Sequence, residues 1–144
     1  MHRVLVAVDG SQPAERAVRY LIGLIKDGGL LGGEGEVHVI NVQSQPSPRI
    51  TRGIAAEELD HYFQELADEA CRAAEELLRT ASVPFQRHDL KGPLAETIVQ
   101  CAQQLRCDSI VMGTRGSGAV GGVFLGSVTT KVIHLSEIPV TVVK

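Results

Sequence analysis

Val4-Leu5-Val6-Ala7-Val8-Asp9-Gly10-Ser11 is the stretch from which the fold can be read. Five consecutive apolar residues, three of them β-branched, show none of the polar alternation of a half-solvated strand. A strand of this kind is buried on both faces, as in parallel sheets covered by helices on both sides. Asp9-Gly10-Ser11 supplies turn and N-cap chemistry, and Pro13 stands where a first helical turn accepts it. Val18, Leu21, Ile22 and Ile25 then share one helical face.

The same unit recurs along the chain. Further apolar, β-branched runs occupy 36–42, 84–90, 109–112 and 139–143, with the first strand at 3–8. Helical periodicity lies between them. A long stripe runs through Leu59, Tyr62, Phe63, Leu66, Ala70, Ala73, Ala74, Leu77 and Ala81. Shorter stripes join Leu94, Ile98, Cys101, Ala102 and Leu105, and then Phe124, Val128, Val132 and Leu135. Strands alternating with helices require right-handed crossovers, so the expected architecture is one doubly wound α/β domain over residues 1–144. The segment 43–53, with Pro46, Pro48 and alternating Ser, reads as an exposed loop.

Composition narrows the function classes. The 144 residues are 44% hydrophobic and 22% charged with a net charge of −3, a balance that supports a packed core and gives no global field for nucleic acid. Aromatics are 3% and Trp is absent, so a base-stacking platform is poorly supplied. No run reaches the roughly 18–20 apolar residues of a membrane span, and no leader segment is evident, so the expected location is the cytoplasm. Cys71, Cys101 and Cys107 have neither disulfide-framework nor zinc-site spacing and read as buried small hydrophobes.

In an open α/β sheet, ligands bind outside the carboxyl ends of the strands where the strand order reverses. The informative candidate is M-G-T-R-G-S-G-A-V-G-G-V-F-L-G-S at 112–127, with six glycines from Gly113 to Ser127. Such a loop gives up backbone entropy and makes sense where amides must approach a ligand. Ser127-Val128-Thr129-Thr130 then opens a helix whose amides, dipole and three hydroxyls suit a phosphate. Arg115 adds a cation. A dinucleotide fingerprint at 116–121 fails because it follows the fourth strand and lacks the later acid. A Walker A motif fails because Ser127 stands where its lysine must be.

The spacing Gly113-x2-Gly116-x9-Gly126-Ser127 resembles the nucleotide-binding signature of the universal stress protein family. The likeness extends through VLVAVDGS, GPLAETI, DSIVMGTRG and LGSVTTKVIHLSEIPVTVV. It implies a Rossmann-like, five-stranded parallel sheet of order 3-2-1-4-5 that binds ATP, with Mg²⁺ arriving on the triphosphate. By motif position, Gly113, Gly116, Gly126 and Ser127 would line the ribose and phosphate path, with Val128 and Thr129 beside them. Val42 would present its backbone to the adenine edge, Met112 would pack on the nucleoside, and Asp9 would lie near ribose or metal. Arg115 occupies a variable position in the family. The resemblance also implies a homodimer through the final strand, beginning at Pro139 and ending at Val143, and a nucleotide-dependent stress or signalling switch with an unknown protein partner.

Neither paired carboxylates nor a water-positioning residue is apparent, so slow turnover or none is expected. Autophosphorylation would fall on Ser117, Ser127, Thr129 or Thr130. Two other readings stay open: an adenylyl-transferring or ATP-hydrolysing enzyme of a related fold, and a nucleotide-free dimeric chaperone-like module. His2, His38, His61, His88 and His134 are scattered, with no i,i+4 or acid-linked pair to suggest catalysis or metal binding. The acidic residues of the long helix read as its solvated face.

Overall fold

β1 (His2–Ala7) lies at the centre of a five-stranded sheet. It pairs with β2 (Gly35–Gln43) on one side and β4 (Ser109–Gly113) on the other. β3 (Phe85–Lys91) and β5 (Val140–Val143) form the two edges, and every pairing is parallel. The order β3-β2-β1-β4-β5 is the expected one. The computed structural model describes residues 2–28, 35–115 and 125–144.

β1 shows why the apolar run has no polar alternation. Val4 and Val6 enter one core with Val18 and Leu21 of α1 (Gln12–Lys26) and Cys71, Ala74 and Leu78 of α3 (Ala56–Thr80). Leu5 enters the opposite core with Ile98 and Ala102 of α4 (Leu94–Gln104) and Val132 of α5 (Ser127–Leu135). The helices on the two faces follow from crossover direction. The chain moves outward from β1 to β3 through α1 and α3, then crosses to β4 and continues outward through α5.

Two details depart from the sequence reading. The expected loop at 43–53 contains one helical turn, α2 (Pro48–Thr51), with Ser47 at the N-cap and Pro48 supplying the preset φ of a first turn. The buried face of α3 is Ala67, Cys71, Ala74 and Leu78, of which the expected stripe contains only Ala74; Ala70, Ala73 and Leu77 of that stripe are half-buried beside it, and Tyr62 near its start is 55% exposed. Length explains the exposed start. A 25-residue helix spans about 37 Å, whereas the seven residues of β3 span about 23 Å, so the first turns of α3 overhang the sheet.

All three cysteines are buried and unbridged. Burial pushes the Cys71 thiol up to about 12 and the Cys107 thiol up to about 11, and raises Cys101 as well. They stay protonated and pack as small apolar groups.

Candidate functional site

After β1 the chain turns onto one face of the sheet, and after β4 it turns onto the other. The two carboxyl ends therefore part, and a cleft opens between them. Its wall is apolar, formed by Ile40, Ile98, Met112 and Val128, with Val42 and Leu94 toward β2. Asp9, Arg115 and Thr129 bring polar groups to it.

Each lining residue is placed by local chemistry. Asp9 Oδ1 accepts the Ser11 N–H at 3.0 Å, closing a turn, and Ser11 Oγ accepts the Ala14 N–H at 3.3 Å to cap α1. The capping role thus falls to Ser11, while Asp9 shapes the turn and lines the cleft. Gly10 between them has φ +82°, the left-handed region that favours glycine, and an added Cβ would meet the Ala70 Cα at 3.3 Å.

Gly113 ends β4, and its glycine is required by packing. A Cβ there would lie 2.7 Å from both the carbonyl carbon and the Cβ of Pro13, in the first turn of α1. Gly113 O also accepts the Thr129 hydroxyl at 3.0 Å. One residue at the base of the cleft is therefore tied to the starts of two helices.

At α5 the N-cap Gly126 has extended backbone and no side-chain cap. Its N–H donates to Thr114 O at 2.7 Å, and the helical ladder begins with Thr130 N–H to Gly126 O at 2.9 Å. The amides of Ser127, Val128 and Thr129 precede that ladder, as at any helix start, and carry the positive end of the helix dipole. Of the three hydroxyls expected to face an anion, two donate to backbone: Thr129 to Gly113 O and Thr130 to Gly126 O. The chemistry this end offers an anion comes chiefly from its amides.

Of the residues singled out in the sequence, Asp9, Val42, Met112, Gly113, Arg115, Val128 and Thr129 line this one cleft. Gly126 and Ser127 stand beside it at the start of α5. Gly116 and Ser117 lie outside the described residues. Among the described residues, no group of three or more His, Cys, Asp or Glu is arranged to hold a metal ion.

The sequence marks the strand end at Asn41-Val42 as a candidate site without giving Asn41 a role, and it does not show that two histidines meet. Asn41, a polar residue inside the run V-I-N-V, is buried at the end of β2, and its position in an otherwise apolar strand was the available signal. The histidines also do meet: His38 Nδ1 lies 2.9 Å from His88 Nε2, and His38 Nε2 lies 3.1 Å from Glu36 Oε1. Glu36 is held in turn by Arg3 Nε at 3.0 Å, which keeps its carboxyl below the ordinary carboxylate range. Despite that distance, the buried His38 Nε2 has no well-formed hydrogen bond.

The sequence profile of the universal stress protein family matches residues 1–144. Universal stress protein MJ0531 of Methanocaldococcus jannaschii is 30% identical over 146 residues, covering 99% of this chain and 81% of that protein. Among solved structures, hypothetical protein MJ0577, described as a structure-based assignment of biochemical function, superposes with a TM-score of 0.81 at 27% identity. That match covers 99% of this chain and 94% of the other. A universal stress protein from Archaeoglobus fulgidus, in complex with dAMP, superposes with a TM-score of 0.68 at 25% identity over 100% of this chain and 98% of its own.

Proposed function

The chain belongs to the universal stress protein family, and from that premise we propose that its cleft binds an adenine nucleotide, ATP with Mg²⁺, as the ligand of a stress or signalling switch. One observation carries this reading: a single cleft joins an apolar wall to the uncapped N-terminus of α5. A nucleotide needs both, a dry slot for a planar base and amide donors for phosphate. The dAMP complex of the Archaeoglobus fulgidus relative supports an adenine ligand.

In this assignment Ile40, Ile98 and Met112 pack on the base and ribose, and the Val42 backbone meets the base edge. The amides of Ser127, Val128 and Thr129 and the Arg115 guanidinium hold phosphate. Gly113 and Gly126 keep the phosphate path narrow, and Gly116 belongs to the same loop by spacing. Asp9 is the one carboxylate lining the cleft among the described residues, and it holds ribose or the metal ion that accompanies the phosphates. A single carboxylate suits Mg²⁺, which keeps most of its waters. Among the described residues the cleft carries no paired carboxylates to activate water, and turnover is slow or nil. The protein works as a cytoplasmic homodimer joined along the free edge of β5, and its nucleotide state is read by a partner protein.

The test is to denature the gently purified protein, identify any released nucleotide by mass spectrometry, and follow melting with added Mg-ATP. At a hundred times its dissociation constant a ligand adds about 2.7 kcal/mol, on the order of 5–10 °C for this size. Arg115→Ala should weaken ATP binding roughly tenfold, the loss of one charge-assisted hydrogen bond. No released nucleotide and no melting shift would refute the assignment.

A further inference from the structure

Asn41 sits where the β1–β2 ladder runs out. Val8 N–H donates to Ile40 O at 2.9 Å, which fixes the direction of the backbone groups there. In a parallel ladder the next rung would be Val42 N–H to Val8 O. That carbonyl instead accepts Asn41 Nδ2 at 2.8 Å. The amide orientation follows from the partners. Val8 O can only accept, so Asn41 must turn its nitrogen to it, and Oδ1 then receives Gln43 Nε2 at 2.7 Å. Gln43 is anchored through its own carbonyl, which accepts Gly92 N–H from beyond β3 at 3.0 Å.

We infer that Asn41 is a positioning residue for the cleft: by occupying Val8 O it leaves the Val42 peptide edge, one donor and one acceptor, facing the ligand. Three observations meet here. Asn41 is 2% exposed, so its hydrogen bonds are made in a dry site where an unpaired polar group is expensive. Ile40 directs its carbonyl toward β1, and strand alternation sends the N–H and C=O of Val42 the same way, past the point where β1 turns off at Asp9. Val42 lines the cleft itself. A side-chain amide thus replaces a backbone rung, and the released rung becomes an edge that pairs with a donor–acceptor face such as that of adenine. This specificity role rests on the nucleotide assignment above, whereas the liberated Val42 amide does not.

Amide hydrogen exchange in the ligand-free protein tests the structural half. Val42 should exchange at least about 100-fold faster than Ile40, and Asn41→Leu should slow it as the Val42–Val8 rung closes. Titrations test the recognition half. Asn41→Leu should weaken ATP binding roughly tenfold and narrow the preference for ATP over GTP, while leaving inorganic tripolyphosphate, which has no base, unchanged. Gln43→Leu, which loosens the Asn41 amide without touching Val8, should show the same pattern in weaker form and serves if Asn41→Leu does not fold. A Val42 amide as slow as Ile40 in the wild type would overturn the inference, as would equal losses of ATP and tripolyphosphate binding in the variants. If the wild type binds no nucleotide, the functional assignment fails, and the exchange rates alone still decide whether Asn41 frees that edge.

Discussion

Gly113 shows how one residue serves two demands at once. In the sequence it is the first glycine of a spacing that points to a nucleotide, and in the fold it leaves no room for a side chain, since an added Cβ would lie 2.7 Å from Pro13. Gly113→Ala is therefore expected to lower stability by about 1–3 kcal/mol even without ligand, measured by urea unfolding. Loss of binding in such a variant would report misfitted packing, which makes Arg115 the better probe of the cleft. His88 carries a second expectation. Burial, with His38 beside it, holds its ring below the ordinary histidine value, against the opposing pull of Asp89. The other charges on this cluster are Glu36, which faces His38, and Arg3, which holds Glu36. Two protonated rings cannot keep the 2.9 Å contact, since both facing nitrogens would then be donors. The unfolded chain takes up its proton first, at about 6.5. The stability contributed by neutral His88 is thus full above that pH and is lost as pH falls through the lowered folded value. The urea midpoint should drop between pH 7.5 and 5.5, and His88→Gln should flatten that part of the profile.

The helices were easier to locate from sequence than to cover. Period places α1, α4 and α5, and a capping signal at Ser11 also marks where α1 starts. The length of α3 was legible too, but not the overhang of its first turns, since that depends on how long a strand it packs against. The turn α2 was hidden for the opposite reason: four residues contain no period to detect. The edge strand β3 illustrates a further limit. Arg87 reaches from this edge strand to Asp68 and Glu75 of α3 and to Asp89 beside it, at 2.7 to 2.9 Å, and its charge is strengthened by them. Only the sheet brings those carboxylates together. Within α1, Gly23 is mid-helix with nothing within 4 Å of an added Cβ. Gly23→Ala should therefore stabilise the protein by about 0.5–1 kcal/mol, seen as a raised melting temperature with ligand binding unchanged.

For the molecule as a whole, alternation of strand and helix was enough to anticipate a doubly wound sheet, and handedness leaves few ways to wind it. What sequence could not supply was register. His38 and His88 meet because β2 and β3 align Ile40 with His88, a choice set by packing across 50 residues of chain. The cleft was half legible: its phosphate end is written in glycine spacing, and its base end depends on where β1 stops pairing. The proposed dimer belongs at this scale. Ile110 N–H donates to Pro139 O and Thr114 N–H to Val143 O, so alternation turns the Val140 and Val142 amides toward the open edge of β5. Val142→Pro removes one outward donor and no ladder bond to β4. Sedimentation equilibrium should find it monomeric where the wild type is dimeric, with similar stability at matched low concentration; a wild type that is monomeric throughout would remove the dimer.

The strand at the middle of the sheet is also the first of the five strands to leave the ribosome. Leu5 waits for Ile110 to be made before its second neighbour exists. At roughly 5–20 residues per second that wait lasts about 5–20 s. During it β1, β2 and β3 can zip together with α1 and α3, but Leu5 and Ile40 stay bare until α4 and α5 arrive to cover them. The nascent half-protein is therefore sticky on one side, and rare codons or a stall just before β4 would prolong the time in which it is a substrate for holdases or for aggregation.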